Sequence, residues 1–473
     1  MAYENLPAAL QPILQENMLA RYFEEQLGAL MTYRKSAKRN PVPIKDGETY
    51  IRSRAGRLAP PLVALNPANN TNLDNGLTAG GVGSGNNTYP FEQFLVSISQ
   101  YAESIDLNII QNYEAIAPVF MQNAKNLIEQ AALNLDLICA ADYHQAYESG
   151  RSYVTVATSA STTAHLDNLK GFDTAFQQFT MVDGSVFSGG TPQSTSVTYP
   201  VTATVYPASG AASYPVTVTG ATPDGSNAST MIGFTKRPIG VSGDVTFSAA
   251  QTLAVGDVIV ASDAPSVFRP NNKLSRLALT QSDTAAMQLF INAKFELERN
   301  NIPKHADGTY HCFIDPILHS QLFADPQFEI MAQGAVDSKL YSNAMVSKLY
   351  GLSFVPVTNS PSYSFVNAAS ASLVARHALI VGDQALLECP FEGTSKAIAA
   401  MADYQTAHVA IANDIAMVTR PALDRLQQII AQSWFWIGGH VAPTDVTITP
   451  VVVPTASNAR YKRAAVIEVA SVN

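Results

Sequence analysis

The chain has 473 residues, more than one average domain, so two or three compact units are expected. Only 14% of residues are charged, against about 25% in typical soluble domains, and 29 basic against 38 acidic side chains leave a formal charge of −9. That balance excludes a nucleic-acid clamp with a basic footprint and a polybasic membrane anchor, and low charge without transmembrane runs points to a surface largely covered by partner subunits.

No stretch approaches about 18 uninterrupted apolar residues, so no transmembrane helix is expected. Met1 to Ala20 carries Glu4 and Glu16 and no basic n-region, unlike a secretory signal. Residues 4–33 read as a helix, with Leu10, Leu14, Leu19, Phe23, Leu27 and Leu30 along one stripe. A basic, proline-marked segment follows: Arg34, Lys35, Lys38, Arg39, Pro41, Pro43 and Lys45. It reads as an exposed arm, either a solvated linker or an arm lying across an acidic neighbour. Thr49 to Leu58 alternates as a strand, with Arg52, Arg54 and Arg57 largely on its polar side. A loop rich in Asn, Gly, Thr and Ser covers 66–88, and Phe91 to Ile105 turns apolar and β-branched again. Together 49–105 form an extended β-hairpin. Isolated hairpins are marginal in water, so this one is expected to lie on another chain.

The strongest helix spans Asn112 to Tyr147, where Ile116, Phe120, Ala124, Leu127, Ala131, Leu135 and Ile138 keep three-four spacing. Pro118 kinks it or marks its start. From Pro118 onward it measures roughly 45 Å at about 1.5 Å per residue, a length that suits a structural spine. Composition then shifts. Residues 181–268 are dominated by Thr, Ser, Val, Gly and Pro, and Thr191 to Pro223 contains no charge. Short strands at Val197–Val205, Tyr214–Thr219, Val245–Ala250 and Val258–Ala261 read as a small all-β insertion. A helix resumes near Ser282, capped by Ser282 or Asp283. Tyr310–Ile314 reads as a strand, and Asp315-Pro316 opens a helix. Further strands are expected at Leu349–Val357, Ala378–Val381 and within Ala407–Val418. The chain closes with Leu423–Trp436, a Gly438-Gly439 turn and a final strand at Ala464–Val469.

No constellation specifies catalysis. His305, His311 and His319 match no standard metal-ligand spacing and read as ordinary core or surface histidines. Gly80, Gly81, Gly83 and Gly85 lack the strand, helix and Lys-Ser/Thr of a phosphate loop. Ser84 lacks the flanking glycines of a nucleophile elbow. Asp315 reads as a cap and Asp383 as a turn residue, while Asp325 forms no acid/base pair with either. Trp434, Phe435 and Trp436 read as core or interface anchors. Cys139, Cys312 and Cys389 lie far apart in apolar surroundings, as buried reduced thiols made in a cytoplasm do. No enzyme activity, metal or cofactor is expected.

The order of parts carries the functional signal. The local matches are Tyr310–Leu322 with its Asp-Pro between strand and helix, the Gly-led strand Gly351–Val357, and Gln428–Trp436 followed by Arg463–Val469. The chain resembles the major capsid proteins of tailed, short-tailed in particular, double-stranded DNA phages, the Hong Kong 97-type fold with an insertion domain. The resemblance implies an α+β fold with an N-terminal arm at 1–48, an extended loop at 49–105 and a peripheral domain with the spine helix at 106–180. A β-rich insertion at 181–272, an axial domain at 273–385 and an axial/peripheral return at 386–473 would follow. It implies a structural protein that assembles as hexamers and pentamers into an icosahedral shell around double-stranded DNA. The subunit would be made and assembled in the host bacterial cytoplasm and end in the virion capsid. Implied partners are other copies of itself, a portal protein, a scaffolding protein and possible decoration or cement proteins. No additional N-terminal scaffolding region is seen, so a separate scaffold or the insertion is expected to serve. Contacts between subunits are expected at Arg34, Lys35, Lys38, Arg39, Arg52, Arg54 and Arg57, with a solvated face as the alternative for the last three. Some shells of this fold join neighbours through a lysine on the extended loop. Tyr50 to Leu107 contains no lysine, so a non-covalent shell is expected. An encapsulin-like shell, or a tail or adhesin protein, are the rival readings. The β-insertion argues against the first, and the spine helix with the mixed C-terminal half against the second.

Overall fold

The computed structural model describes residues 7, 10–11, 31–42, 49–55, 91–110, 116–180, 186–225, 231–232, 237–335, 348–367, 371–392, 408–422, 425–426, 428–444 and 459–471. The helix expected at 4–33 and the glycine-rich loop at 66–88 lie almost wholly outside them. The chain divides into two compact units. The first comprises residues 1–51, 95–142 and 386–441, and the second 52–94, 143–385 and 442–473.

In chain order, a 3-10 turn at Arg34–Ser36 leads into β1 (Lys38–Arg39). Strands β2 (Thr49–Ala55) and β3 (Phe91–Ser97) form a two-stranded sheet joined to no other described strand. After β4 (Ser99–Asn108) comes helix α1 (Ile116–Tyr147), 32 residues and roughly 48 Å long. Pro118 is its third residue, in the first turn, where a missing N–H breaks no helical hydrogen bond.

The β-rich region begins earlier than composition suggested. Its strands are β5 (Arg151–Tyr153), β6 (Thr158–Leu166), β7 (Thr174–Thr180), β8 (Val186–Ser194), β9 (Val201–Tyr206), β10 (Tyr214–Pro223), β11 (Met231–Ile232), β12 (Arg237–Pro238), β13 (Gly243–Leu253) and β14 (Val258–Ala261). One six-stranded sheet runs β5-β14-β9-β10-β13-β6. The sheet therefore takes in strands from Arg151 onward, before the change in composition near 181. The loss of charge near 181 reports side-chain chemistry, whereas Leu166 pairs with Gly243 and Ser152 with Ile259, far along the chain. In β9 alternate residues turn inward, Val201, Ala203 and Val205 being buried. They join Leu166, Phe172, Val218, Val245 and Ile259 in a separate core.

Next come β15 (Val267–Phe268), α2 (Met287–Arg299), β16 (Tyr310–Ile314), α3 (Pro316–Phe323), α4 (Pro326–Ala335), β17 (Lys348–Leu349), β18 (Leu352–Pro356), β19 (Ser362–Val366) and β20 (Ser372–Val381). The N-cap of α2 is Ala286, not Ser282 or Asp283. Asp325 takes the capping role from outside the helix, accepting from the Met287 N–H at 2.6 Å. Asp283 is occupied locally, accepting from the Thr280 N–H at 2.6 Å and from Lys273. Asp315 does cap α3: its Oδ1 accepts from the Ile317 N–H at 2.8 Å, with Pro316 at the first helical position. Asp315→Ala should cost about 1 kcal/mol, read as a lower urea midpoint for the second unit. An unchanged midpoint would rule the cap out as a stabilising element.

The remaining strands are β21 (Leu387–Pro390), β22 (His408–Ala412), β23 (Ile415–Arg420), β24 (Ile429–Val441) and β25 (Ala464–Ser471). In the first unit β1-β21-β24-β23-β22 form one sheet, with β4 along the other edge of β24. Phe120, Ala124, Leu127 and Ala131 of α1 share a core with Ile415, Met417, Ile430, Trp434 and Trp436. The indoles are thus core residues. Gly438 and Gly439 do not turn the chain; they lie inside β24. A Cβ on Gly439 would sit 2.2 Å from the Ser97 carbonyl oxygen, so close backbone approach is what requires glycine there. In the second unit a seven-stranded sheet runs β15-β25-β20-β16-β18-β17, with β19 also on β20. Helices α2, α3 and α4 cover it around Met287, Phe290, Leu318, Phe328, Ile380 and Ile467. The stretch 386–473, read as one return, is thereby shared between both units. Among the described residues, no helix is long and apolar enough to cross a membrane.

Candidate functional site

The basic residues singled out in the sequence do not behave alike. Arg34 is turned inward, 7% exposed, and this corrects its reading as part of an exposed arm. Its Nε and one terminal nitrogen donate to Glu388 Oε1 at 2.8 and 2.5 Å, and the same terminal nitrogen donates to the Asn413 carbonyl. The physical reason is the parallel pairing of β1 with β21, which sets Arg39 beside Glu388 and draws the preceding turn onto the sheet. Lys35, Lys38 and Arg39 are exposed, and Arg39 forms an ion pair with Asp414. Arg52 and Arg54 lie on β2, in the two-stranded sheet. Arg57 is outside the described residues.

The three histidines singled out do not converge. His305 and His311 stack with ring centroids 3.9 Å apart, while His319 packs on the Phe323 ring at 4.9 Å. Cys139, Cys312 and Cys389 are buried and in no disulfide. Burial pushes the Cys139 and Cys312 thiols well up, away from the reactive thiolate form.

The densest ionic site lies inside the second unit and was not legible in the sequence. His144 and Glu148 stand one turn apart at the end of α1, and Glu148 links His144 to His377 on β20. Glu148 Oε1 lies 2.8 Å from His144 Nδ1 and 2.6 Å from His377 Nδ1. Glu148 Oε2 accepts from the Tyr363 hydroxyl at 2.6 Å. His377 Nε2 faces Glu468 Oε1 at 3.0 Å, because the β20–β25 register sets these two residues opposite each other. Arg269 Nε donates to Glu468 Oε2 and Arg276 Nε to Glu468 Oε1, each at 2.5 Å. The Arg276 guanidinium lies 3.6 Å from the Tyr363 ring centre. A cavity of about 40 Å³ at its centre has room for one water.

Burial alone would lower the His377 imidazole, but Glu148 and Glu468 outweigh it and hold it up at about 9. Burial would raise Glu148, and His377 with His144 hold it well below the usual carboxylate range. Glu468 is likewise held far down: burial opposes this, and Arg269 and Arg276 overcome it. His144, Glu148 and His377 bring ligand-type atoms within 4.8 Å of one another. A metal would need the Nδ1 lone pair of His377. With a carboxylate at each ring nitrogen, that ring carries both protons and acts as a cation. The arrangement is an ion network of two carboxylates, two guanidiniums and one imidazolium. It ties the end of α1, β19, β20, β25 and the 269–276 turn together.

No protein-family model and no curated protein matches the chain. Among solved structures it is similar to the capsid of Ralstonia phage GP4, at 11% identity over 94% of this chain and 88% of that one, with a TM-score of 0.47. It is also similar to the capsid of the cyanophage P-SCSP1u, at 11% identity over 93% and 89%, TM-score 0.45. The cyanophage Pam1 capsid matches at 10% identity over 94% and 92%, TM-score 0.44.

Proposed function

We propose that this chain is the shell-forming subunit of a tailed-phage capsid, assembling as hexamers and pentamers around double-stranded DNA. The observation that carries the reading is the order of its elements. A short strand is laid onto the first sheet, then come a separate two-stranded sheet, a 32-residue helix, an inserted β-sheet, and a helix-covered sheet that takes the C-terminal strand into its interior. This is the order expected of the Hong Kong 97-type capsid fold. Low charge and a β2–β3 ladder with no further described strand suit a subunit completed by its neighbours. In this reading Lys35 and Lys38 contact a neighbouring copy, as do Arg52, Arg54 and Arg57, whereas Arg34 is spent inside the subunit. Portal, scaffolding and decoration proteins are its further partners, and the host cytoplasm is its place of assembly.

Electron microscopy of the chain co-expressed with its scaffold tests the reading: closed shells are expected, and a stable monomer at high concentration would overturn it. On a denaturing gel mature particles should give a single band near 50.6 kDa. A ladder surviving detergent and reductant would contradict the non-covalent shell.

A further inference from the structure

A cleft of about 460 Å³ opens in the second unit between the β5–β14–β9 side of the inserted sheet and residues 267–274. Its lining includes Arg151, Tyr206, Ser262, Arg269, Asn272 and Lys273, and no carboxylate. In a chain of net charge −9, three cations without an acid among them need an explanation. Two are matched from outside the cleft: Arg269 by Glu468 and Lys273 by Asp283. Arg151 is not. One of its terminal nitrogens donates to the Pro265 carbonyl at 2.8 Å. Its Nε is out of contact with solvent and has no hydrogen-bond partner among the described residues. No described carboxylate lies within ion-pair distance of it.

Arg151 is half-buried, and a guanidinium with no carboxylate in ion-pair range keeps donors that an anion can use. Burial and the neighbouring Arg269 push the Arg151 group down to about 10, with the Glu468 carboxylate opposing them. A tight turn forms the mouth of the cleft. Asn271 and Asn272 both adopt left-handed backbone, with φ of 55° and 52°, in the turn that presents Asn272 and Lys273. Asparagine adopts this conformation readily, so the turn is formed without strain. The planar fork of arginine, with hydroxyl and amide donors around it, matches a tetrahedral oxyanion.

We propose that this cleft binds a phosphate-type oxyanion, free or carried on a small molecule, with Arg151 as its principal ligand and Arg269 and Lys273 beside it. The site is independent of the assembly reading.

Titration calorimetry on the full chain, with inorganic phosphate against chloride at matched ionic strength, tests it. One saturable site per chain is expected, and Arg151→Gln should weaken it at least tenfold while Lys35→Gln leaves it unchanged. AMP in a parallel arm separates the sources: tighter binding than phosphate assigns a carried phosphate, equal or weaker binding a free one. Ser262→Asp, which adds a carboxylate to the lining, should abolish binding with the fold intact, and it decides the matter if Arg151→Gln does not fold. Absence of saturable phosphate binding in the wild-type chain, or undiminished binding in either folded variant, would overturn the proposal.

Discussion

Glu468→Gln is expected to destabilise the second unit by about 3–5 kcal/mol, because it leaves buried cations without their shared counter-charge. Glu468 is 1% exposed and accepts from Arg269 and Arg276 while facing His377. The isosteric amide keeps the volume and some hydrogen bonding, so the loss reports charge rather than packing. Amide exchange of β20 and β25 peptides reads it directly. Both tryptophans, Trp434 and Trp436, sit in the first unit, so their fluorescence serves as an internal reference. Combining Glu468→Leu with Arg269→Met and Arg276→Met should recover much of the loss, since an apolar replacement of a whole buried ion cluster is often neutral. A Glu468→Gln variant within 1 kcal/mol of wild type would show that the cluster contributes little.

The second large effect is a loss of stability at alkaline pH. The groups facing His377 are Glu148 and His144 from the α1 end, Tyr363 from β19 and Glu468 from β25, with Arg269 and Arg276 behind Glu468. Its folded value, about 9, lies above the ordinary 6.5. A raised value means that the stabilisation is complete below pH 6.5 and disappears as pH rises through about 9. The gap corresponds to roughly 3 kcal/mol. On the acid side the depressed Glu148 and Glu468 keep the cluster ionised well below pH 4.5. Protection of β20 and β25, corrected for intrinsic exchange, should therefore fall between pH 6.5 and 9 in the wild type and stay flat in His377→Gln. Parallel pH profiles in the two proteins would remove His377 as the titrating group.

Local chemistry was legible wherever neighbours in the chain decide it. Asp315-Pro316 announced a helix start, and three-four spacing of Phe120, Leu127 and Ala131 announced the spine helix. The cap of α2 was not legible, because Asp325 reaches Met287 from 38 residues away. Arg34 reads as one more charge in a basic arm, and only the β1–β21 pairing turns it onto Glu388. Gly438-Gly439 has the signature of a turn, yet the close passage of Ser97 is what needs the missing Cβ.

The amino-acid order by itself determined the class of several elements and their succession: a strand pair, a spine helix, a β-rich stretch and a mixed remainder. These follow from hydrophobic period and composition, which are local properties. Tertiary structure alone decided where the inserted sheet begins, since β5 and β6 are claimed by partners about a hundred residues on. It alone assembled the Glu148–His377–Glu468 cluster, from residues that strand register and helix placement bring together across more than 300 positions of sequence. Ion pairs at that separation leave no periodic trace, because each charge looks like any solvated residue until the backbone removes it from water.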